Sequence, residues 1–227
     1  EKRTHHMFSL ESFHRQYKTE PSDLTLRDRK YRFFVPKSLD GLVHMDNIFH
    51  EFPLWAKIWD ASIVLADCLA AMPVDKNRNL LEIGCGVGVA GIVAASFGHR
   101  VTLTEYNDDA LAFVRANACE NQTPEGPFPD IRRLDWNDPE LAEPFDTIVG
   151  SEVVFKKEDY DPLARLFKNC LKPSGEIILA ERARETSIGF FRQMSGQFDI
   201  VAQKKVFRSG EEEVRVILAR MKPKEKI

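Results

Sequence analysis

The chain has 227 residues, of which 43% are hydrophobic and 30% are charged, and its net charge at pH 7 is −3. This length and composition suit a globular protein with one large domain and a sizeable core. The small negative charge argues against nucleic acid or an anionic membrane surface as a partner. No apolar run reaches the roughly 18 residues of a membrane span, and the N-terminus has no signal-peptide core.

The cysteines and the first histidines do not indicate a metal site. The four cysteines are scattered and include no Cys-x-x-Cys pair: Cys68, Cys85, Cys119 and Cys170. Zinc is therefore not expected, and no other metal is predicted. His5 and His6 stand before a methionine, as in a cloning remnant, and receive no metal role. Free thiols in predicted helices suit a reducing compartment, so we expect a cytoplasmic protein.

The N-terminal part of the chain shows less regular patterns than the rest. The letters MFSLESFHRQYK, residues 7–18, predict an amphipathic helix. KYRFFVP at 30–36 and GLVHM at 41–45 predict the two strands of a hairpin. We interpret residues 1–51 as an extension of the main domain.

Helices and strands then alternate along the chain. The predicted helices cover about 58–72, 89–97, 108–120, 160–172 and 187–196. The predicted strands cover 79–83, 99–105, a short run around Ile131, part of 145–155, and 175–181. Two final alternating runs, 198–207 and 211–221, surround a turn at Ser209-Gly210 and predict an antiparallel hairpin.

This alternation predicts an α/β fold with a Rossmann-like sheet of seven strands, mostly parallel, and helices on both faces. A two-lobed dinucleotide-binding fold would add further parallel strands near the C-terminus. The predicted antiparallel ending is instead typical of the sheet of methyltransferases. The predicted domain covers residues 52–221 and is followed by a tail, 222–227.

The sequence LLEIGCGVGVAG at 80–91 joins the first predicted strand to a helix. Its alternating glycines, Gly84, Gly86 and Gly88, permit backbone conformations closed to other residues and a close approach to a ligand. The following helix N-terminus directs amides towards that ligand. These features suit a dinucleotide and S-adenosylmethionine equally well. Gly91 is explained by close packing of the helix on the sheet.

Acidic residues and one tryptophan near strand ends extend this site. Glu82, two residues before the first glycine, suits the α-ammonium group of S-adenosylmethionine better than a pyrophosphate. Glu105 ends the next strand, where a carboxylate can accept both ribose hydroxyls. In the loop LDWND, Trp136 is a candidate to pack on the adenine face, and Asp135 is a candidate to bind its amino group.

With these residues the chain resembles a class I seven-β-strand methyltransferase, and more narrowly the protein-lysine methyltransferase family (methyltransferase family 16). The matching segments keep their order over roughly 52–220: WDASIVLADCL, LEIGCGVGVAGIVAASFG, VTLTEYN, the DW of LDWND, FDTIVGSEVVF and IILAERARETSIGFFRQMSGQFDIV. The resemblance implies an S-adenosylmethionine-dependent enzyme that methylates a lysine of a protein substrate.

The resemblance also implies cofactor contacts, residue by residue. Trp59 would contact the cofactor from the start of the first helix. Gly84, Cys85 and Gly86 would pass under its amino-acid moiety, while Glu105 would hold the ribose and Trp136 would flank adenine. Ser151 stands beside the adenosine, where the family usually has alanine.

The substrate side departs from the family pattern. The family's Asp-x-x-Tyr reads here as Glu152-Val153-Val154-Phe155. We predict Glu152 as the carboxylate that faces the acceptor amine and Phe155 as an aromatic wall without a hydroxyl. Charged residues at the end of the fifth strand, Glu181, Arg182 and Arg184, are candidates for the rim of the substrate entrance.

Three alternatives accompany the leading hypothesis. The altered motif is compatible with a small-molecule N- or O-methyltransferase, and cofactor binding without turnover would indicate a non-catalytic scaffold. The third alternative, a nicotinamide-dependent oxidoreductase, is supported only by the spacing Gly86-x-Gly88-x-x-Gly91. The predicted antiparallel ending and the position of Glu82 argue against it.

Overall fold

The structure is a computed structural model. It describes residues 8–40, 42, 53–124, 126–139, 141, 143–209 and 212–224, with backbone alone at 207–209 and 212. The predicted strand GLVHM, apart from Leu42, and the histidines His5 and His6 lie outside the described residues. No helix in the described part of the chain is long and apolar enough to cross a membrane.

Six helices and nine strands make up the described chain. The helices are α1 Leu10–Gln16, α2 Asp60–Ala70, α3 Val89–Ser96, α4 Asp108–Glu120, α5 Tyr160–Cys170 and α6 Glu185–Met194. The strands are β1 Thr19–Leu26, β2 Arg29–Pro36, β3 Asn79–Glu82, β4 Arg100–Glu105, β5 Asp130–Arg133, β6 Phe145–Ser151, β7 Leu171–Arg182, β8 Phe198–Ser209 and β9 Glu212–Pro223.

Strands β3 to β9 form one seven-stranded sheet in the order β5-β4-β3-β6-β7-β9-β8. The pairs among β3 to β7 are parallel, whereas β7 with β9 and β8 with β9 are antiparallel. The predicted fold class is thus confirmed. After β3 the chain proceeds outward to β4 and β5, and then returns to place β6 on the other side of β3. This reversal creates a crevice at the carboxyl ends of β3 and β6, where open α/β sheets bind ligands.

Helix α3 packs on the sheet with every residue buried. Gly91 allows this close approach, because a Cβ at that position would overlap the side chains of Leu103 and Glu82. These contacts agree with the prediction that Gly91 lets the helix pack closely on the sheet. The glycine loop that leads into α3 is therefore fixed between β3 and a helix without a solvent-facing side.

The N-terminal hairpin differs from the predicted one. The strand KYRFFVP lies in β2 but pairs with the preceding β1, from Leu26 opposite Arg29 to Thr19 opposite Pro36. The two turn residues, Arg27 and Asp28, have φ angles of 48° and 64°. Two positive φ values are typical of a two-residue type I′ turn, for which Asn-Gly is the usual signal. The prediction missed this hairpin because Arg-Asp lacks that signal.

Two asparagines attach the hairpin to α4, one within this helix and one directly after its last residue. Asn121 bonds to both the amide and the carbonyl of Arg32, at 2.9 and 2.8 Å. One turn earlier, Asn117 bonds in the same way to Phe34, at 2.6 and 3.1 Å. The Asn117 amide group also donates to the carbonyl of Val87 in the glycine loop, at 2.9 Å. The two asparagine side chains thus satisfy backbone amide and carbonyl groups of β2 that a neighbouring strand would otherwise bond.

Candidate active site

A cavity of about 520 Å³ lies at the carboxyl ends of the parallel strands. Ten of the twelve site residues predicted from the sequence line it: Trp59, Gly84, Cys85, Gly86, Glu105, Asp135, Trp136, Ser151, Glu152 and Phe155. We distinguish its glycine-loop part, formed by residues 84–86, Glu105 and Trp136, from its aromatic part, formed by Trp59, Glu152 and Phe155. Residues 60 to 100 positions apart in the chain thus meet in one cavity.

The glycine loop forms a cradle between two tryptophans. Gly84 and Gly86 both have φ angles of +56°, in the region that favours glycine. A Cβ at Gly84 would lie 3.1 Å from Cζ2 of Trp136, and one at Gly86 would lie 3.4 Å from the carbonyl oxygen of Trp55. Glycine at these positions therefore serves both the backbone conformation and the space in the cradle.

Glu105 at the end of β4 holds the loop from below. Its Oε2 accepts a hydrogen bond from the Gly86 amide at 3.0 Å, and its Oε1 accepts one from the Tyr106 amide at 2.8 Å. Burial raises the pKa of this carboxyl, and these amide hydrogen bonds oppose the rise. The Asn107 amide donates a third bond, to Oε1 at 3.4 Å. A carboxylate can accept about four hydrogen bonds, so one position remains for a hydroxyl of a bound ligand.

Two predicted site residues lie outside the cavity. Gly88 has a φ of +89° and begins α3, where a Cβ would lie 2.8 Å from Cδ1 of Ile92. Glu82 is 1% exposed beneath α3, and a Cβ at Gly91 would meet its carboxyl. Burial raises the pKa of Glu82 to about 8. The predicted contact of Glu82 with a ligand ammonium is not supported by this position.

The adenine-side candidates lie in the loop after β5. Trp136 packs its ring against Gly84, as described above. Asp135 accepts hydrogen bonds from the Asn137 amide at 2.8 Å and from its side chain at 3.2 Å, which fixes the turn. Cys85 is buried in the same part of the cavity, and burial raises the pKa of its thiol well above the ordinary range. The thiol is therefore an apolar contact and not a nucleophile.

The aromatic part holds rings and cations together. The rings of Trp59 and Phe155 meet edge to face, with centroids 6.4 Å apart. Trp59 Nε1 donates to the carbonyl of Leu54 at 2.8 Å, which orients the indole. Lys57 Nζ lies 4.1 Å from the Trp59 ring centroid, and the Arg184 guanidinium lies 4.8 Å from that of Phe155. These ring faces thus already attract cationic groups.

Glu152 is buried, and other protein groups bind both of its carboxylate oxygens. The Arg182 amide donates to Oε1, and Arg184 forms an ion pair with Oε2. Arg182 itself pairs with Asp60 at 2.9 Å. The two arginines therefore bind acids of the site while their side chains stay about one-third exposed, and their place on the rim stays a prediction. Glu181 is 0% exposed, so its predicted place on the rim is wrong.

Several lining residues were not predicted from the sequence. Tyr106 and Asn137 directly follow Glu105 and Trp136 in the chain, and both line the cavity. Asp159 also lines it and accepts a hydrogen bond from the Lys156 amide at 3.1 Å. Adjacency to predicted residues was an available signal for the first two. The sequence contains no such signal for Asp159, because this residue reaches the cavity only through the turn after β6.

Comparisons with known proteins agree with this geometry. A family model described as lysine methyltransferase matches residues 52–197. The chain is 31% identical over 170 residues to protein N-lysine methyltransferase METTL21A of Mus musculus, covering 72% of this chain and 76% of that protein. It is 26% identical over 166 residues to EEF1A lysine methyltransferase 3 of Xenopus tropicalis, covering 71% of this chain and 72% of that protein.

A solved structure shows the same fold. The glycopeptide N-methyltransferase MtfA, complexed with S-adenosyl-L-homocysteine, superposes with a TM-score of 0.60 at 16% sequence identity. The superposition covers 72% of this chain and 90% of MtfA. At this identity the likeness concerns the fold alone.

Proposed function

The chain belongs to the lysine methyltransferase family, and on that premise we propose that it transfers a methyl group from S-adenosylmethionine to the ε-amino group of a lysine in a protein substrate. The observation that supports this most directly is the cradle of Gly84 and Gly86 between Trp55 and Trp136, with Glu105 beneath it. The relatives METTL21A and EEF1A lysine methyltransferase 3 support a protein lysine as the acceptor.

The residues of the glycine-loop part fit this cofactor. Glu105 keeps an acceptor position for a ribose hydroxyl, and Trp136 offers a ring face for adenine. Gly84, Cys85 and Gly86 leave room for the amino-acid moiety because two of them lack a side chain and the third presents an uncharged thiol. When bound, S-adenosylmethionine supplies a methyl group on a cationic sulfur, which an amine nitrogen can accept.

The aromatic part is suited to the acceptor amine. A free lysine has a pKa near 10.4, so its ammonium must lose a proton before the nitrogen can attack. The rings of Trp59 and Phe155 hold a cationic amine by their faces, with an attraction of roughly 0.5 to 2 kcal/mol. Phe155 has no hydroxyl and so forms a wall without a hydrogen bond to the amine. Positioning of the nitrogen is then the main contribution of these residues to the rate.

We retain Glu152 as the carboxylate on the acceptor side. It lines the cavity, and its partner Arg184 is one-third exposed. An incoming ammonium group would replace the guanidinium, so the carboxylate keeps a cationic partner throughout. Burial of an unpaired charge is thereby avoided.

We also propose residues 1–51 as an extension, 52–221 as the catalytic domain and 222–227 as a tail, with β9 continuing to Pro223 at the start of that tail. The seven-stranded sheet lies entirely after residue 52, whereas β1 and β2 form a separate sheet. All four cysteines are free thiols, which supports the proposed cytoplasmic location.

The experiment is a transfer assay with S-adenosylmethionine labelled in its methyl group and lysate from the source organism. The wild-type protein is expected to label a discrete protein band that disappears on protease treatment, with methyl-lysine found by mass spectrometry. The Glu105→Ala variant is the matched control, because it removes the proposed ribose contact. Label confined to small molecules would indicate a metabolite acceptor. Cofactor binding without any label would indicate the non-catalytic scaffold.

A further inference from the structure

The chain leaves the sheet abruptly after β6, in a turn formed by Glu152, Val153, Val154 and Phe155, which we call the β6 turn. The Glu152 amide donates to the Ala180 carbonyl of β7 at 2.9 Å, which is the last ladder bond between these strands. Glu152 itself has a φ of +52°. A residue with a side chain is unstable in this region by roughly 1–2 kcal/mol, so other contacts must hold the turn.

One carboxyl group holds the next two amides. The Val153 amide donates to Oε1 of Glu181 at 2.8 Å, and the Val154 amide is directed towards the same carboxyl. Val153 and Val154 are 2% and 0% exposed, so water cannot replace these bonds. The turn therefore depends on Glu181, a residue 28 positions later in the chain.

Glu181 has no cationic partner among the described residues that would explain its burial. Its side chain is fully buried at the end of β7, and Oε2 has no hydrogen-bond partner. Burying a carboxyl group is unfavourable unless it satisfies other polar groups. The groups that Glu181 satisfies are the amides of the β6 turn.

The ends of β6 and β7 are joined by hydrogen bonds in both directions. Glu181 at the end of β7 accepts from the turn after β6, and Glu152 at the end of β6 accepts from the Arg182 amide, which follows Glu181. Three residues of this turn line the cavity, Glu152, Val153 and Phe155, and that arrangement positions them. The glycine-loop part lies on other strands and shares none of these bonds.

We propose that Glu181 is a positioning residue that fixes the β6 turn and thereby sets where Glu152 and Phe155 face the methyl acceptor. The catalytic meaning of this inference depends on the function proposed above, whereas the structural step does not. A general stabilising role is the competing explanation. The two differ because a positioning role predicts losses of local exchange protection and of activity beyond what the fall in stability explains, whereas a general stabilising role predicts losses that follow the fall in stability alone.

The experiment compares Glu181→Leu, which removes the acceptor oxygens, with Glu181→Gln, which keeps one. Hydrogen exchange is measured by mass spectrometry on a peptide spanning residues 152–156 and on one spanning the glycine loop. In Glu181→Leu, exchange in the first peptide is expected to rise about tenfold or more, as for the loss of a buried hydrogen bond. The glycine-loop peptide and the affinity for S-adenosylmethionine are expected to change by less than about twofold.

Methyl transfer provides the second readout. With the labelled protein band as substrate, Glu181→Leu is expected to lower kcat about tenfold or more, and Glu181→Gln is expected to recover most of that loss. Unchanged exchange at 152–156 in Glu181→Leu would overturn the proposal, as would a loss of activity that only follows a fall in Tm. If the variant does not fold, rapid exchange at 152–156 in the wild type would overturn it equally. Absence of transfer by the wild type contradicts the proposed function and leaves the exchange result intact.

Discussion

The glycine-loop part and the aromatic part of the cavity are built by different means. In the first, backbone conformation and backbone amides dominate, as at Gly86 and Glu105, which are 19 positions apart. In the second, side chains meet through charge, as in the pairs Arg182–Asp60 and Arg184–Glu152. The glycine-loop part is thus encoded mainly in the backbone, and the aromatic part depends on pairing between side chains. Substitutions in the aromatic part can therefore leave the glycine-loop part intact.

The largest effect is expected at the glycine loop. Gly84→Ala places a side chain at a φ of +56° and 3.1 Å from Trp136. Conformational strain and overpacking together are expected to lower the free energy of unfolding by about 3 kcal/mol and to impair cofactor binding. Denaturant unfolding and calorimetry measure the two quantities. Gly196→Ala is the control, since a Cβ there meets only the Gln193 carbonyl oxygen at 3.5 Å. Equal behaviour of the two variants would contradict a local backbone requirement.

A feature common to both parts predicts a pH dependence of stability. Burial raises the pKa of Glu82, beneath the glycine loop, and of Glu181, behind the β6 turn, from 4.5 to about 8. The folded state therefore binds more protons than the unfolded state. The resulting stabilisation is complete below the unfolded pKa and is lost as the pH rises through the folded one. The free energy of unfolding is expected to fall by on the order of 2 kcal/mol between about pH 7 and about pH 8, with roughly half of the fall from each carboxyl.

Denaturant titrations at several pH values test this dependence. Glu82→Gln is expected to remove about half of it, because one of the two groups no longer titrates. Glu158→Gln, at an exposed position, serves as the control and is expected to leave the curve unchanged. A pH-independent wild type between pH 6 and 8 would show that both carboxyls ionise readily in the folded state.

The affinity for the cofactor separates the two parts further. Glu105→Ala removes charge-assisted hydrogen bonds, and we expect it to weaken S-adenosylmethionine binding by about 2 kcal/mol, or about 30-fold in Kd. Calorimetry measures the change, with Asp108→Ala as an exposed acid nearby for comparison. Unchanged affinity in Glu105→Ala would remove this residue from the binding site.

The smallest effect is expected from the aromatic part. Arg184→Met leaves the buried Glu152 carboxylate without its cation, and partial exposure of Arg184 limits the destabilisation to about 1.5 kcal/mol. Adding Glu152→Gln is expected to restore part of this stability. Cofactor affinity is expected to stay within about twofold of the wild type. Arg15→Met, in an exposed ion pair, is the control. A large loss of cofactor affinity would mean that the two parts are not independent.

The sequence predicted the features that are local in the chain. Apolar periodicity identified the helices and strands of the main sheet, and the glycine spacing identified the loop, because both express constraints on neighbouring residues. Acids at strand ends were harder to interpret. Glu82, Glu105, Glu152 and Glu181 look alike in the sequence, yet the structure places Glu105 against the loop amides and buries the other three. The direction in which each of these side chains points depends on how the chain turns after the last hydrogen bond of its strand.

The N-terminal extension shows the same limit. Its strand KYRFFVP was predicted, but its partner was not, since Pro21 and the Arg-Asp turn conceal β1. The roles of Asn117 and Asn121 were equally hidden, because a polar residue on α4 has no local feature that indicates a bond to β2.

Asn117 has a consequence for how the molecule behaves as a whole. One buried amide group bonds to the N-terminal hairpin through Phe34 and to the glycine loop through Val87. The docking of the hairpin and the order of the loop are therefore coupled equilibria that share a side chain. Coupling between two sites is reciprocal, so whatever orders the loop also favours the docked hairpin, and a detached hairpin weakens the hold on the loop.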